Sequence, residues 1–151
     1  MTKDVVIVGL DTPIHEAAEI MGRRGFSGLP VTDESRRVVG VISEKDFLAR
    51  MGKTAPMNFM AVIADCLKVK GCVSLAIREK KAGDIVSSPA VTVHDDSTYS
   101  EITQLLAQRA INRMPVTDGE GRLIGIITRT DLIVALSRSG LYMTTTSEEQ
   151  K

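Results

Sequence analysis

The stretch Leu29–Asp33, which reads LPVTD, returns as Met114–Asp118, which reads MPVTD. Pro30 and Pro115 are 85 positions apart, and the same offset aligns the flanking segments without a gap. Identical residues recur at Val6 and Val91, Asp11 and Asp96, Glu16 and Glu101, Arg24 and Arg109, Gly40 and Gly125, and Asp46 and Asp131. The chain therefore contains one unit twice. Because two copies are too few for a solenoid, which needs about three units, we expect two similar halves packed about a pseudo-twofold axis with paired clefts between them.

The bulk composition limits the function classes. A chain of 151 residues with 43% hydrophobic content is long enough to bury a core in one domain or a pair of small subdomains. Its 19 basic and 19 acidic residues cancel, so no overall field favours nucleic acid or an anionic membrane. Aromatic residues make up 3%, without Trp, which argues against base stacking. The sequence has no apolar run long enough to span a membrane and no signal peptide, so we predict a cytoplasmic protein.

The first unit is predicted to run strand, helix, strand, strand, helix. Asp11–Pro13 predicts a side-chain cap followed by Pro at the first helical position, and Gly25 is expected at the end of this helix. A buried helical stripe is expected at Ile14, Ala17, Ala18 and Met21. The predicted strands are Val5–Val8, Leu29–Thr32 and Val38–Ile42, and the last two form a hairpin, followed by a helix that begins at Ser43.

The second unit repeats this order. Its predicted elements are Ala90–Val93, Ser97–Arg109, Met114–Thr117, Leu123–Ile127 and Thr128–Leu136. The hairpin turn contains Asp118–Gly121, which reads DGEG and is a strong turn signal.

Each unit ends its hairpin with a matching run, GVISEKD at Gly40–Asp46 and GIITRTD at Gly125–Asp131. These runs, with the Pro-Val strands before them, resemble the cystathionine β-synthase (CBS) domain. The whole chain resembles a tandem CBS pair, the Bateman module. The resemblance implies an α/β (α+β) fold in which two β-α-β-β-α CBS repeats pack about a pseudo-twofold axis, with a helical insert between them.

The expected domain boundaries follow from the repeat. We assign residues 1–53 to CBS repeat 1, 54–81 to a helical insert, 82–140 to CBS repeat 2 and 141–151 to a flexible tail. The insert is apolar on most sides, and it could cap the module, form a dimer contact or add core to one unit. It contains Cys66 and Cys72, which are expected to be reduced, packed thiols. Ala82–Val86 is predicted to be a short lead-in helix for the second unit.

Two interpretations compete for the matching runs. A Ser or Thr followed three residues later by an acid is a helix capping box, although that box prefers Glu or Gln to the shorter Asp. By resemblance to CBS domains, the carboxylates bind a ribose diol, the neighbouring hydroxyls assist, and the helix start receives a phosphate. The residues to which the resemblance gives these roles are Asp46, Asp131, Ser43 and Thr128. The adenine is then expected between apolar strand residues of the type at Leu29, Pro30, Met114 and Pro115.

The two units differ in charge around these runs. Arg129 in the second unit corresponds to Glu44 in the first, and Arg113 corresponds to Gly28. The two arginines favour a phosphate, whereas Glu44 repels one unless Lys45 offsets it. Each arginine could equally be a solvated surface residue. The sequence also leaves open whether Arg113 serves the site of Asp131 or reaches across to that of Asp46.

We therefore predict a non-catalytic regulatory module that binds AMP, ADP or ATP between the repeats, with S-adenosylmethionine or a dinucleotide as the next candidates. The alternative is a ligand-free scaffold for dimerisation or docking. A homodimer is expected, and the regulated partner could be a larger protein. No recognisable nucleophile, metal cluster or phosphate-binding glycine loop supports an enzyme, and His15 and His94 are expected to be surface residues. Nucleic-acid binding is not expected.

Overall fold

The computed structural model of the protein describes residues 1–51 and 79–139. The elements in chain order are β1 (Val8–Gly9), α1 (Ile14–Arg24), β2 (Gly28–Thr32), β3 (Val38–Ser43), α2 (Glu44–Met51), α3 (Ala82–Ile85), β4 (Val93–His94), α4 (Tyr99–Gln108), β5 (Arg113–Thr117), β6 (Leu123–Thr128) and α5 (Arg129–Ser139). Each unit thus has the predicted order β-α-β-β-α. The predicted insert helix, both cysteines and the 141–151 tail lie outside the described residues.

Each repeat contains a three-stranded sheet. The strand order is β1-β2-β3 in the first repeat and β4-β5-β6 in the second. In each sheet the short first strand is parallel to the second, and the second and third form the predicted antiparallel hairpin. The register is the same in both hairpins, since Leu29 pairs with Ile42 and Met114 with Ile127. A register shift also falls at the same place in both, between Val31 and Thr32 and at the corresponding point of β5.

The first strand of each repeat is shorter than the sequence predicts. Within the described chain, pairing with β2 is confined to Val8 and Gly9, and pairing with β5 to Val93 and His94. Val6 is half-buried and packs against the first core without joining the sheet. The apolar β-branched residues before Val8 are explained by burial and not by strand pairing. The sequence pattern therefore predicts a longer strand than the structure contains.

The cap predicted for α1 is wrong. The N-cap residue is Pro13, whose extended backbone (φ −57°, ψ 139°) precedes a helix that begins at Ile14, and no side chain caps it. The Thr12 hydroxyl instead accepts a hydrogen bond from Gly9 N at 3.0 Å. Ile14 N, one of the amides that a cap would satisfy, donates to Lys80 O at 3.0 Å. A backbone segment from elsewhere in the chain thus takes over part of the capping function.

The repeats have separate hydrophobic cores. The first is built on the predicted stripe of α1 and comprises Val8, Ile14, Ala17, Ala18, Met21, Leu29, Val31, Ile42, Phe47, Ala82 and Ile85. The second comprises Val93, Ile102, Leu106, Met114, Val116 and Leu132. The first core includes two residues of α3, the helix that precedes the second repeat in the sequence. The segment predicted to lead into the second repeat therefore packs on the first.

A pseudo-twofold axis relates the repeats and passes between Arg37 and Arg122, which are equivalent positions and form an isolated antiparallel bridge. Two reciprocal hydrogen bonds flank this bridge. Val38 N donates to Gly121 O at 3.1 Å, and Leu123 N donates to Arg36 O at 2.9 Å. Under the 85-residue offset each of these bonds maps onto the other. The hairpins of the two repeats therefore meet end to end across the axis.

Each repeat also pairs with the residues that lead into the other repeat. Val41 and Ser87 exchange two backbone hydrogen bonds of 3.2 Å, and Ile126 and Thr2 exchange two of 2.9 Å. A Cβ atom at Gly40 would overlap the Ser87 carbonyl oxygen, and the equivalent atom at Gly125 would overlap the Met1 side chain. Close approach of the exchanged backbone therefore excludes a side chain at Gly40, whereas at Gly125 the nearest atoms belong to the flexible Met1 side chain.

Candidate functional site

The Asp46 side chain is fixed at the start of α2. Its Oδ2 atom accepts hydrogen bonds from Ser43 N at 2.6 Å and from Ser43 Oγ at 2.9 Å. Ser43 is the last residue of β3, so the carboxylate lies where the hairpin ends and the helix begins. Asp46 Oδ2 is therefore used in capping the helix, and the two hydrogen bonds from Ser43 fix the orientation of the side chain.

Asp131 repeats this arrangement at the start of α5. Its Oδ2 atom accepts from Thr128 N at 2.8 Å and from Thr128 Oγ1 at 3.0 Å. Asp131 N in turn donates to Thr128 Oγ1 at 3.2 Å, which completes the two-way capping box. The capping interpretation weighed from sequence is thus realised with Asp in place of Glu. It leaves the second oxygen of each carboxylate for another partner.

The second oxygens of the two carboxylates differ in what they meet. Asp46 Oδ1 accepts a hydrogen bond of 2.5 Å from Ser87 Oγ, a side chain of the segment that enters the second repeat. Asp131 Oδ1 lies 3.8 Å from the amino group of Met1. Both carboxylates are only partly buried, so these oxygens are at the surface. The Ser87 contact could not be predicted from the sequence, because the residues around a serine do not show which carboxylate, here 41 positions away, it will contact.

A cleft of about 140 Å³ lies between the repeats, beside Asp46. The first repeat contributes Ser27, Gly28, Val41, Ser43, Glu44 and Lys45, and the second contributes Ala110, Ile111, Asn112 and Arg113. Ser43 thus lines the cleft and also holds the Asp46 carboxylate. Since small-molecule sites usually measure about 300 Å³ or more, a nucleotide bound here would extend beyond the cleft or widen it.

Arg113 spans the cleft from the second repeat to the first. Its guanidinium carbon lies 5.6 Å from the centroid of the Phe26 ring, a cation–π distance. Its Nε atom is buried and has no hydrogen-bond partner among the described residues. Burial lowers the pKa of Arg113 below its ordinary value, and the Glu44 carboxylate opposes that shift. An arginine retains its charge despite such a shift, so the cleft contains a cation with an unpaired donor.

The other basic residues near the cleft contact backbone carbonyl oxygens of the turn before β5. Arg129 Nε donates to Ile111 O at 3.1 Å, and its side chain is exposed. Lys45 Nζ lies 3.5 Å from Ala110 O and lines the cleft from the first repeat. The structure therefore brings Arg113, Lys45 and Glu44 together, while Arg129 lies outside the residues that line the cleft.

The apolar strand residues expected around an adenine are all buried. Leu29 and Met114 belong to the two cores, and Pro30 and Pro115 are fully buried. None of the four lines the cleft between the repeats. The apolar walls are instead Gly28, Val41 and Ile111, none of which was predicted to contact an adenine. A strand that is covered on both faces cannot be distinguished from one that lines a cleft by its apolar residues alone.

Within residues 1–51 and 79–139, neither histidine side chain makes a hydrogen bond or an ion pair. His94 is exposed and His15 is half-buried. Among the residues that the structure describes, no group of His, Cys, Asp or Glu side chains could hold a metal ion. In that same part of the chain no helix is both long and apolar enough to cross a membrane.

The chain belongs to the CBS domain family. The family's sequence model matches residues 1–53 and 82–138, more than half of the chain, and the two matches coincide with the repeats defined by the offset. The architecture, two β-α-β-β-α units related by a pseudo-twofold axis, is that of a tandem CBS pair, or Bateman module.

The curated relatives include proteins of different lengths. CBSX1 of Arabidopsis thaliana, named as chloroplastic, is 30% identical over 93% of this chain and 64% of its own length. An inosine-5'-monophosphate dehydrogenase of Methanocaldococcus jannaschii is 30% identical over 87% of this chain, but the match spans only 21% of the dehydrogenase. The chain therefore spans less than two thirds of these relatives.

Two solved structures show the same fold with a nucleotide. A crystal structure of CBSX2 in complex with AMP has a TM-score of 0.70 and 29% identity, covering 92% of this chain and 93% of that one. CBSX2 is a chloroplastic protein of Arabidopsis thaliana. The cytosolic domain of the Mg²⁺ channel MgtE in complex with ATP has a TM-score of 0.65 and 25% identity, covering 90% of this chain and 46% of that one.

Proposed function

We propose that this chain is a non-catalytic regulatory module that binds an adenosine nucleotide, AMP, ADP or ATP, between its two CBS repeats. The proposal rests on the placement of two side chains from different repeats. Ser43 holds the Asp46 carboxylate at the edge of the cleft, and Arg113 lines the same cleft from the second repeat. AMP in the CBSX2 structure and ATP in the MgtE structure support the choice of ligand class.

The ribose and the phosphate of a nucleotide each have a matching group in or beside the cleft. A ribose diol can donate to the outer oxygen of Asp46, as it does to an acidic residue in dinucleotide folds. A phosphate can accept from the guanidinium group of Arg113 and from Lys45, and these charge-assisted contacts also offset Glu44. Asp131 and Thr128, with Arg129 beside them, form a second, chemically different position, for which we propose weaker or separate occupancy.

A ligand in this position would act as a switch by contacting both repeats. The repeats meet through the Arg37–Arg122 bridge and the exchanged segments, so a change in their relative angle would alter these contacts. A nucleotide can shift such an equilibrium only by its difference in affinity for the two arrangements. We propose that the readout passes to a larger regulated protein in the cytoplasm.

Calorimetric titration with AMP, ADP, ATP, S-adenosylmethionine and NAD tests the proposal. Asp46→Asn keeps an oxygen that can accept from Ser43 but removes the charge, so it should weaken nucleotide binding about tenfold or more while the fold persists. The matched control is Asp33→Asn, at a turn where the carboxylate accepts from Ser35 N and Arg37 N at 2.9 Å, away from the cleft. Undiminished affinity in both Asp46→Asn and Asp131→Asn would contradict the ribose assignment.

A ligand-free scaffold is the second candidate, and exposed apolar side chains on the second repeat favour an assembly role. Ile133 is 56% exposed and Val134 is 42% exposed, on adjacent positions of α5. We propose that the exposed side of α5 around Ile133 and Val134 forms a homodimer contact, which would cover these two side chains. Ile133→Asp should halve the molar mass measured by light scattering, whereas Arg138→Asp, an exposed control on the same helix, should not. A dimer without any nucleotide-induced thermal shift would favour the scaffold.

A further inference from the structure

Glu44 brings a negative charge to the cleft between the repeats. Its side chain is half-buried and lines the cleft, and within residues 1–51 and 79–139 its carboxylate makes neither an ion pair nor a hydrogen bond. The backbone of Glu44 is anchored, because its N–H donates to Ser27 O at 3.1 Å and Ser27 lines the same cleft. A ligand in the cleft therefore meets a negative charge that no ion pair of the described chain neutralises.

Glu44 and Arg113 line the cleft from different repeats, and the part of the chain that the structure describes shows no ion pair between them. Their charges nevertheless act on each other. Burial lowers the pKa of Arg113, and the negative charge of Glu44 opposes that shift. A phosphate in the cleft would therefore be attracted by Arg113 and repelled by Glu44 at the same time.

The formal charges around the cleft cancel. Among the described residues that line it, Arg113 and Lys45 are basic and Glu44 is acidic, while Asp46 adds a second negative charge at the edge. A phosphate monoester carries about −1.5 to −2 charges at pH 7, which the two basic residues can balance. Because Lys45 is exposed, solvent weakens its contribution. Each further phosphate would add negative charge without a further cation to receive it.

The first amides of α2 do not supply that missing positive charge. Ser43 N donates to Asp46 Oδ2 at 2.6 Å, and Glu44 N donates to Ser27 O, so both are already used. Space is also limited, since the cleft of about 140 Å³ is under half of the roughly 300 Å³ of the smallest usual ligand pockets. One end of a nucleotide fits such a cleft, and a chain of phosphates would have to leave it.

The equivalent position of the second repeat has the opposite charge. Arg129 replaces Glu44 there, and its Nε donates to Ile111 O at 3.1 Å. The residue that corresponds to Ile111 in the first repeat is Phe26. The acidic side chain is therefore a property of the first repeat alone, and the second repeat shows that a basic residue is compatible with this helix start.

We propose that Glu44 makes the first site selective for an adenosine nucleotide with a single phosphate, AMP, against ADP and ATP. This inference rests on the proposed function, because it assigns a preference within the proposed class of ligand. Arg113 and Lys45 receive the first phosphate, whereas a second and a third phosphate meet Glu44 without another cation. Glu44 is thus a specificity-determining residue that acts by repulsion.

Calorimetric titration with adenosine, AMP, ADP and ATP in the absence of Mg²⁺ tests the proposal. An Asp131→Asn background weakens the second position, so that the titration reports the first. In this background AMP should bind at least about tenfold more tightly than ATP. Glu44→Gln keeps the shape of the side chain and removes its charge, so the dissociation constant should fall about tenfold for ATP and about threefold for AMP. Adenosine, which has no phosphate, should bind both proteins equally.

Glu34→Gln is the matched control, because Glu34 is exposed at the tip of the first hairpin, and it should leave the ratio of the AMP and ATP affinities unchanged. A measurement on the parent side chain avoids any effect of substitution on folding. Raising the salt concentration from about 0.05 M to about 0.5 M should reduce the preference for AMP where Glu44 is present and change it little in Glu44→Gln.

The possible failures are distinguishable. Equal affinities for AMP and ATP with Glu44 in place, or an unchanged ratio in Glu44→Gln, would overturn the selectivity and leave the proposed nucleotide function standing. A preference for AMP that does not respond to salt would overturn the electrostatic role of Glu44. If none of the nucleotides binds the unsubstituted protein, the proposed function itself is overturned, and the role of Glu44 with it.

Discussion

The hydroxyl group of Ser87 donates to Asp46 Oδ1 at 2.5 Å, on the carboxylate oxygen that Ser43 leaves open. The segment leading into the second repeat thus occupies the atom to which we assign the ribose. A bound nucleotide would have to displace the hydroxyl or share the oxygen with it. Ser87 is therefore an internal competitor at the first site. Its counterpart in the second repeat, Thr2, makes no equivalent hydrogen bond to Asp131 within the described chain.

Removing the competitor should strengthen nucleotide binding at the first site. A hydrogen bond of this kind contributes about 0.5–1.5 kcal/mol net, so Ser87→Ala should lower the dissociation constant about two- to tenfold. Ser88→Ala is the matched control, because that hydroxyl donates to Val39 O at 3.1 Å and does not touch the carboxylate. Calorimetry on both variants measures the effect. Weaker binding by Ser87→Ala would mean that the hydroxyl assists the ligand.

The shared glycines should differ in their tolerance of a side chain. Gly40→Ala drives a Cβ into the Ser87 backbone, whereas Gly125→Ala meets mainly the flexible Met1 side chain. Overpacking of this kind costs about 1–3 kcal/mol, and we expect Gly40→Ala to lie at the upper end and Gly125→Ala at the lower. Gly119→Ala, with nothing within 4 Å of its added Cβ, is the control. Urea unfolding gives the three values, and equal losses at Gly40 and Gly125 would contradict the ranking.

Arg113 should matter more for binding than for folding. Arg113→Met keeps a flexible chain over Phe26 and removes a buried donor that has no hydrogen-bond partner among the described residues. The free energy of unfolding should therefore stay within about 1 kcal/mol of the parent or rise. Affinity for AMP should fall about tenfold or more, while affinity for adenosine, which lacks the phosphate, should change little. Arg109→Met, an exposed residue of the same repeat, should alter neither affinity.

The turn of the second hairpin should show a pH-dependent contribution to stability. The pKa of Asp118 lies below its ordinary value, and the hydrogen bond from the backbone N–H of Arg122 is the largest cause of this lowering. Because the folded-state pKa is depressed, the stabilisation is present above about pH 4 and is lost as the pH falls through the folded-state value. Urea unfolding between about pH 2.5 and about pH 6 should show a weaker acid dependence for Asp118→Asn than for the parent. Asp4→Asn, an exposed control, should retain the parent's dependence.

Local patterns were sufficient to predict most of the secondary structure. The 85-residue offset and the apolar spacing of α1 predicted both repeats, both hairpins and the stripe from Ile14 to Met21. The same reasoning put a side-chain cap within Asp11–Pro13, which is wrong, and a strand over Val5–Val8, of which only Val8 pairs with β2. The partner of Ile14 N is Lys80 O, and the burial of Val6 does not come from sheet pairing. Both errors arise where tertiary contacts replace local ones.

The candidate site was less accessible to prediction than the fold. The motif located Ser43, Asp46, Thr128 and Asp131 at the two helix starts, and the difference between Arg113 and Gly28 indicated an asymmetric charge. It did not reveal that Arg113 reaches Phe26, that Ser87 binds Asp46 or that Leu29 is buried in the core. Periodicity defines which face of an element is apolar, whereas these contacts depend on which segments from distant parts of the sequence meet.

The reciprocal pairing of Thr2 with Ile126 and of Ser87 with Val41 bears on the ancestry of the chain. In a single isolated unit, neither the third strand of the hairpin nor the lead-in segment would have its pairing partner. Two identical units could each pair their lead-in segment with the hairpin of the other, as a strand-exchanged assembly. Gene duplication and fusion of such a unit makes that association intramolecular, at an effective concentration that no longer depends on expression level. Once fused, the two halves could diverge independently. Glu44 in the first repeat and Arg129 in the second, which are equivalent positions with opposite charges, show such divergence.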